Sequence, residues 1–185
     1  MENKKIDLSK IKVRLIQVTD YNIIQDFKCG NPTIERYLKQ DAYFDTIDHF
    51  SSTSLVFYKE NEEKEDLVGF FTLKNVPLRI SIPSDELSTN YSLEIARIAV
   101  DVKYQENGFG TMMLNTIKNL AQTTNQRFVT LDALIERYDW YAKRDFEAFI
   151  ENEAKLSNKE GLVYMYSDLL DENAIDAYLE DEQIV

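Results

Sequence analysis

The stretch RIAVDVKYQENGFGTMMLNTIKNL, residues 97 to 120, joins a β-like run to a helix with an apolar stripe, and two glycines stand between them. Gly108 and Gly110 follow Gln105 in the spacing Gln-x-x-Gly-x-Gly, and glycine there lets backbone approach whatever the chain wraps. A P-loop requires Gly-Lys-Ser/Thr, yet Thr111 follows Gly110 directly, with no lysine. A dinucleotide fingerprint requires a further glycine at position 113, which is Met113. What remains is a strand-to-helix turn that points free amides and the positive end of a helix at an anion.

Outward from that turn, Met113, Leu114, Ile117, Leu120 and Ala121 recur at helical spacing and predict one buried stripe on a helix over 110–122. Strands predicted at 92–102 and 127–134 flank it. Together they make a β-α-β crossover, whose strands pair in parallel. Upstream, IKVRLIQV (11–18) reads as a strand with Val13 and Leu15 on one face, followed by a short helix capped by Thr19 or Asp20. A second helix starts at Asn31 with Pro32 in its first position. The runs 53–59 and 67–75 read as a hairpin across the charged turn ENEEKED, and LRISI (78–82) reads as a further strand. Downstream, a helix is expected around ERYDWYAKR, strands at FEAFI and LVYMYSDL, and a surface helix in the acidic C-terminal segment 169–185. The fold class is mixed α/β, a mostly antiparallel sheet with one parallel crossover and flanking helices.

Composition bounds the function. At 185 residues and 44% apolar, the chain can bury one substantial core, and a single domain over 1–185 is expected. The N-terminus lacks a secretory apolar region, and no apolar run approaches the roughly 18 residues that span a bilayer, so a cytoplasmic protein without membrane contact is expected. Cys29 is the lone cysteine and His49 the lone histidine, which leaves neither an internal disulfide nor a metal site in prospect. The formal charge of -12 opposes broad nucleic-acid binding and suits a cationic or neutral partner.

With its strand and helix, the Gln105-x-x-Gly108-x-Gly110 motif resembles the diphosphate-binding motif of the GNAT superfamily of N-acetyltransferases. ARIAVD resembles that family's cofactor-pairing strand, and WYAKRDF (140–146) its Phe-Tyr-x-x-x-Gly-Phe segment, except that Asp145 replaces the glycine. DFKCGNPTIERYLKQDAYF (26–44) and EIARIAVD further resemble the branch containing bacterial toxins that acetylate aminoacyl-tRNA.

The resemblance implies acetyl-CoA as co-substrate and no metal. Its diphosphate would lie over Gln105, Glu106, Asn107, Gly108, Phe109, Gly110 and Thr111, and its pantetheine would run along backbone groups of Ile98, Ala99 and Val100. Tyr141 would be the general acid for the leaving thiolate, since a phenol of pKa about 10 is near a thiol of about 8.5. The acceptor ammonium must lose a proton before it attacks, and Glu94 is the carboxylate at hand, with water as the alternative. Arg97 would orient an acceptor or pair with a carboxylate, and Cys29 would only pack. The implied reaction is direct transfer of acetyl to a primary amine in a ternary complex. The acceptor would be a small molecule, a peptide or, in the toxin branch, aminoacyl-tRNA, with an antitoxin as partner in that case. A homodimer and a non-catalytic acyl-CoA-binding protein are the other expectations.

Overall fold

A computed structural model of the chain describes residues 6–61, 64–79, 91–148 and 161–170. Its strands are β1 (Ile11–Leu15), β2 (Ser52–Asn61), β3 (Lys64–Pro77), β4 (Tyr91–Val100), β5 (Phe128–Leu134), β6 (Glu147–Ala148) and β7 (Leu162–Asp168). They form a sheet of order β1-β2-β3-β4-β5-β7-β6 in which β4 and β5 are parallel and every other pair is antiparallel. Helices α1 (Tyr21–Gln25), α2 (Pro32–Gln40) and α3 (Ala42–Ile47) lie between β1 and β2 in sequence. The crossover helix is α4 (Phe109–Thr123), and α5 (Tyr138–Ala142) follows β5. This is the expected mixed α/β class.

Strand alternation divides the core into two layers. Val56, Phe71, Leu73, Ile95, Val129 and Leu131 pack beneath Phe109, Met113, Leu114, Ile117 and Ala121 of α4. Leu55, Phe57, Phe70 and Ala99 face the other way and meet Ile24, Tyr37, Leu38 and Ala42 from α1 to α3. Local chemistry starts α2 as expected: the Asn31 side chain accepts from the amides of Thr33 and Ile34, and Pro32 opens the helix.

The first short helix begins differently from expectation. Neither Thr19 nor Asp20 caps α1 with its side chain. Asp20 is buried and takes two hydrogen bonds from Arg14, at 2.6 and 2.7 Å, and one from the Gln17 amide. The Arg14 guanidinium holds the Asp20 carboxyl below the usual carboxylate range. Asp20→Ala strands a partly buried arginine, and a loss of about 3 kcal/mol in urea unfolding is expected. Because the folded pKa is depressed, this contribution is present above the unfolded value of about 3.9 and disappears as pH falls through the folded one. An Asp20→Ala protein with unchanged stability at pH 7 would refute the assignment.

Several boundaries differ from the sequence reading. β1 stops at Leu15, and the face that Val13 and Leu15 share is exposed on this edge strand. Leu120 lies beside the α4 stripe and is 41% exposed; Phe109 joins the stripe one turn before Met113. β3 runs to Pro77, so Leu78 and Arg79 have left the sheet, and the rest of the LRISI expectation lies outside the described residues. The acidic segment beyond 170 also lies outside them, as does the FEAFI run beyond Ala148.

Candidate active site

The parallel strands β4 and β5 pair only from Ser92↔Phe128 to Glu94↔Thr130. From Ile95 to Val100, β4 keeps β3 on one edge and has no strand on the other among the described residues. The cause is local. Arg97 is opposite Thr72 while Ile95 is opposite Leu73, so Ala96 is an extra residue in β4, a bulge that bends the strand where its pairing with β5 ends. The result is an opening between the two strands with one edge of backbone facing it.

Past Val100, Asp101 is buried, and its carboxylate accepts the amides of Lys28 and Lys103 at 3.1 and 3.0 Å. Its own amide donates to Val68, and Val102 donates to Lys28. Glu106 and Gly108 then take left-handed conformations with φ of 65° and 90°. Only glycine adopts the second without cost. The turn delivers the chain to α4 with no side-chain cap at Gly108, and the first intrahelical bond is Met112 N–H to Gly108 C=O. The amides of Phe109, Gly110 and Thr111 therefore have no acceptor among the described residues, which is the arrangement an anion at a helix start requires.

The predicted cofactor residues divide by what the fold has left free. The Phe109 ring is buried between Tyr58 and Tyr104, so only its amide is available to a ligand. The Gln105 side chain donates to the carbonyls of both Cys29 and Val100, at 3.0 and 3.1 Å. The Val100 carbonyl was expected to be open and is not; β4 ends there, and an unpaired carbonyl needs a donor. The Ala99 carbonyl points at Gly69 on the β3 side, within 2.7 Å of where a β-carbon would stand. The Asn107 side chain, on the surface, donates back to the Gln105 carbonyl. Gly110 lacks a β-carbon for a reason the sequence did not disclose: Trp140 Cζ2 would be 3.1 Å from it.

Tyr141 and Glu94 belong to opposite faces of the sheet. Tyr141 packs in the α4 layer, with ring centroids 4.9 Å from Trp140 and 5.7 Å from Phe146. Burial pushes its phenol up to about 12, and the Arg137 charge opposes this weakly. Glu94 alternates with Leu93 and Ile95, which face α4, so its carboxylate points to the α1–α3 side. There Arg79 bonds it at 3.3 Å and Asp132 at 3.0 Å, and stacks on Tyr164 at 4.6 Å. One arginine thus bridges β4, β5 and β7 beside the opening. Arg97 forms no ion pair with a carboxylate among the described residues; it stacks on Tyr37 of α2 at 3.5 Å. Cys29 is a half-buried thiol whose pKa is raised by burial, in keeping with packing. Asp145 takes φ of 60°, which explains how the turn before Phe146 survives without the family's glycine.

Arg79, Trp140 and Arg144 were not singled out from sequence. Arg79 meets partners 15 and 53 positions away, a relation that no local pattern encodes. Trp140 was visible only as one aromatic among several.

Comparison with known proteins bears on this geometry. Residues 21–146 match the acetyltransferase (GNAT) family. Curated protein sequences give no match. Among solved structures, a bacterial toxin superposes with a TM-score of 0.70 at 20% identity, covering 93% of this chain and 96% of its own. A tyrosine-to-phenylalanine mutant of KacT gives 0.71 at 14%, covering 91% and 99%. AtaTR bound with AcCoA gives 0.66 at 16%, covering 93% and 99%. At these identities the likeness is one of fold. The family match covers the bulged strand, the glycine turn, α4 and α5 together, and by it this chain belongs to the GNAT acetyltransferases and is an acyltransferase.

Proposed function

We propose that the chain transfers an acetyl group from acetyl-CoA to a primary amine by direct attack in a ternary complex. The observation that carries this is the opening between β4 and β5, which leads to three amides that have no acceptor among the described residues at the start of α4. A diphosphate suits those amides, and an extended chain of secondary amides suits the one-sided edge of Ile95 to Val100. The co-substrate supplies an activated acetyl thioester. The protein's part is to hold it in the opening, exclude water and supply a proton on departure of the thiolate.

Tyr141 fits the last task with a qualification. A phenol at about 12 stays protonated at any physiological pH, so the acid is always loaded. Complete transfer to a thiolate whose acid has a pKa of about 8.5 would be uphill by about 5 kcal/mol. Tyr141 therefore donates a hydrogen bond that strengthens as charge grows on sulfur, and the proton follows late. On the other face, Arg79 keeps the Glu94 carboxylate fixed and competes with an incoming ammonium for it. A water held between Glu94 and the amine is the simpler route for the proton.

A second reading, acetylation of aminoacyl-tRNA, is favoured by Arg97. A cation stacked on Tyr37 beside the opening, with no carboxylate on it among the described residues, suits an acceptor that carries an anion near its amine. AtaT complexed with acetyl-methionyl-tRNAfMet has the same fold at 14% identity, and AtaT is also seen bound to the C-terminus of the antitoxin AtaR. An antitoxin partner belongs to this reading alone.

The test is calorimetry with coenzyme A and acetyl-CoA, followed by thiol release with small amines, peptides and charged tRNA in parallel. Heat of binding with release on an amine is expected. Binding without release on any acceptor would leave an acyl-CoA-binding protein, and no binding would end the transferase reading. Growth arrest on expression, together with release on charged tRNA alone, would select the second reading.

A further inference from the structure

We propose that Arg144 binds a phosphate of the CoA moiety, its guanidinium laid on Trp140 so that its free edge extends the amide cradle of α4. The inference rests on the reading of that cradle as the CoA site. It concerns a residue outside the glycine motif, brought to it by the turn after α5.

The guanidinium is anchored twice. Nε donates to Thr111 Oγ1 at 2.8 Å, and Nη1 donates to the Trp140 carbonyl at 2.7 Å. Its central carbon lies over the Trp140 ring, 3.9 Å from the ring centre. Both acceptors are neutral oxygens, and Nη2 has no acceptor among the described residues. No carboxylate forms an ion pair with it there: the adjacent Asp145 is 3.6 Å from Lys118, and Lys118 also donates to the Arg144 carbonyl. A partly buried cation without a counter-charge is costly, and an anion brought to its free edge removes that cost. Burial lowers the Arg144 pKa.

The anchor places the charge beside the cradle. Thr111 contributes one of the three amides that have no acceptor among the described residues, and its hydroxyl, while accepting from Arg144, keeps its own hydrogen to donate. An anion at the start of α4 is thus offered backbone amides, a hydroxyl and an arginine edge together. Gly110 acquires a second purpose from the same geometry. A β-carbon there would stand 3.1 Å from Trp140 Cζ2, so the glycine seats the ring on which Arg144 lies. Two phosphate sources in CoA fit this chemistry, the diphosphate and the 3′-phosphate.

The experiment compares Arg144→Met, which keeps contact with the indole, with wild type on three ligands. Calorimetry with CoA is expected to give about 10- to 100-fold weaker binding, the range for losing a charge-assisted hydrogen bond. S-acetylpantetheine, which carries no phosphate, is expected to show unchanged kcat/KM. Dephospho-CoA identifies the group: a penalty that vanishes assigns the 3′-phosphate, and one that persists assigns the diphosphate. CoA binding by Arg144→Met equal to wild type overturns the proposal, as does an equal loss on S-acetylpantetheine, which would mean general distortion. Wild type without any heat on CoA would instead overturn the cofactor reading beneath it. Should Arg144→Met fail to fold, Arg144→Lys carries the same comparison, since it keeps the charge and loses the planar fork. A phosphate-dependent loss supports the proposal, and its absence defeats it.

Discussion

Tyr141→Phe is expected to lower kcat roughly 10²- to 10⁴-fold, the usual contribution of a positioned general acid, while KM for acetyl-CoA changes little. The substitution removes one oxygen and keeps the ring, so the edge contacts with Trp140 and Phe146 at 4.9 and 5.7 Å remain. With the phenol pushed up to about 12, wild-type activity does not fall between pH 8 and 10 through Tyr141; any decline there belongs to another group. Stability carries the complementary signature. The folded pKa is raised by burial, so its contribution is fully present below the unfolded value of about 10 and is lost as pH climbs toward about 12. Urea unfolding at pH 9 and at pH 11.5 is expected to reveal a decline in wild type that is smaller in the phenylalanine variant. A variant turning over at the wild-type rate would remove Tyr141 from the chemistry.

Gly69→Ala is expected to damage stability and rate together. Gly69 pairs with Val100 at the end of the bulged strand, and a β-carbon on it would stand 2.7 Å from the Ala99 carbonyl oxygen. It would also meet Met113 Cε at 3.1 Å and Sδ at 3.3 Å. The methionine is flexible and can move; the carbonyl is main chain of β4 and can move only with the strand. Overpacking of this kind costs roughly 1–3 kcal/mol, which denaturant midpoints will register. The displaced segment is the edge proposed to hold the pantetheine, and a misplacement of about 1 Å at a reacting centre costs on the order of 100-fold. A drop in kcat/KM well beyond what the unfolded fraction explains is therefore expected. Wild-type kinetics in a folded Gly69→Ala protein would mean that β4 does not set the position of the thioester.

The elements that carry the family likeness were legible because their chemistry is local. A strand, a left-handed glycine and an apolar helical stripe occupy consecutive residues, and the crossover they make forces a parallel pair. The Asn31 cap and Pro32 were legible for the same reason. The bulge at Ala96 was not, since it exists only in the register between β3 and β4, and register depends on which hydrophobic side chains each layer accepts. Leu120 obeyed helical spacing and is exposed all the same, because spacing does not reveal where the covered sector of α4 ends. Around the candidate site, the glycine turn between β4 and α4 was readable from the sequence, whereas the partners that Gln105, Val100 and Arg97 take up were not. Gln105 and Arg97 both spend their side chains on contacts with the α1–α2 region, made when segments some 60 to 76 residues apart come together.

The amide nitrogen of Gln105 ties two stretches of chain through one atom: it bonds the end of β4 and the Cys29 carbonyl in the bend that leads to α2. That bend is fastened again through Lys28, by Asp101 and by Val102. Lengthening or shortening residues 26–31 would therefore pull on the glycine turn before α4 as well. Swaps of side chains that leave the Cys29 carbonyl in place are the safer way to vary this bend without disturbing the turn into α4.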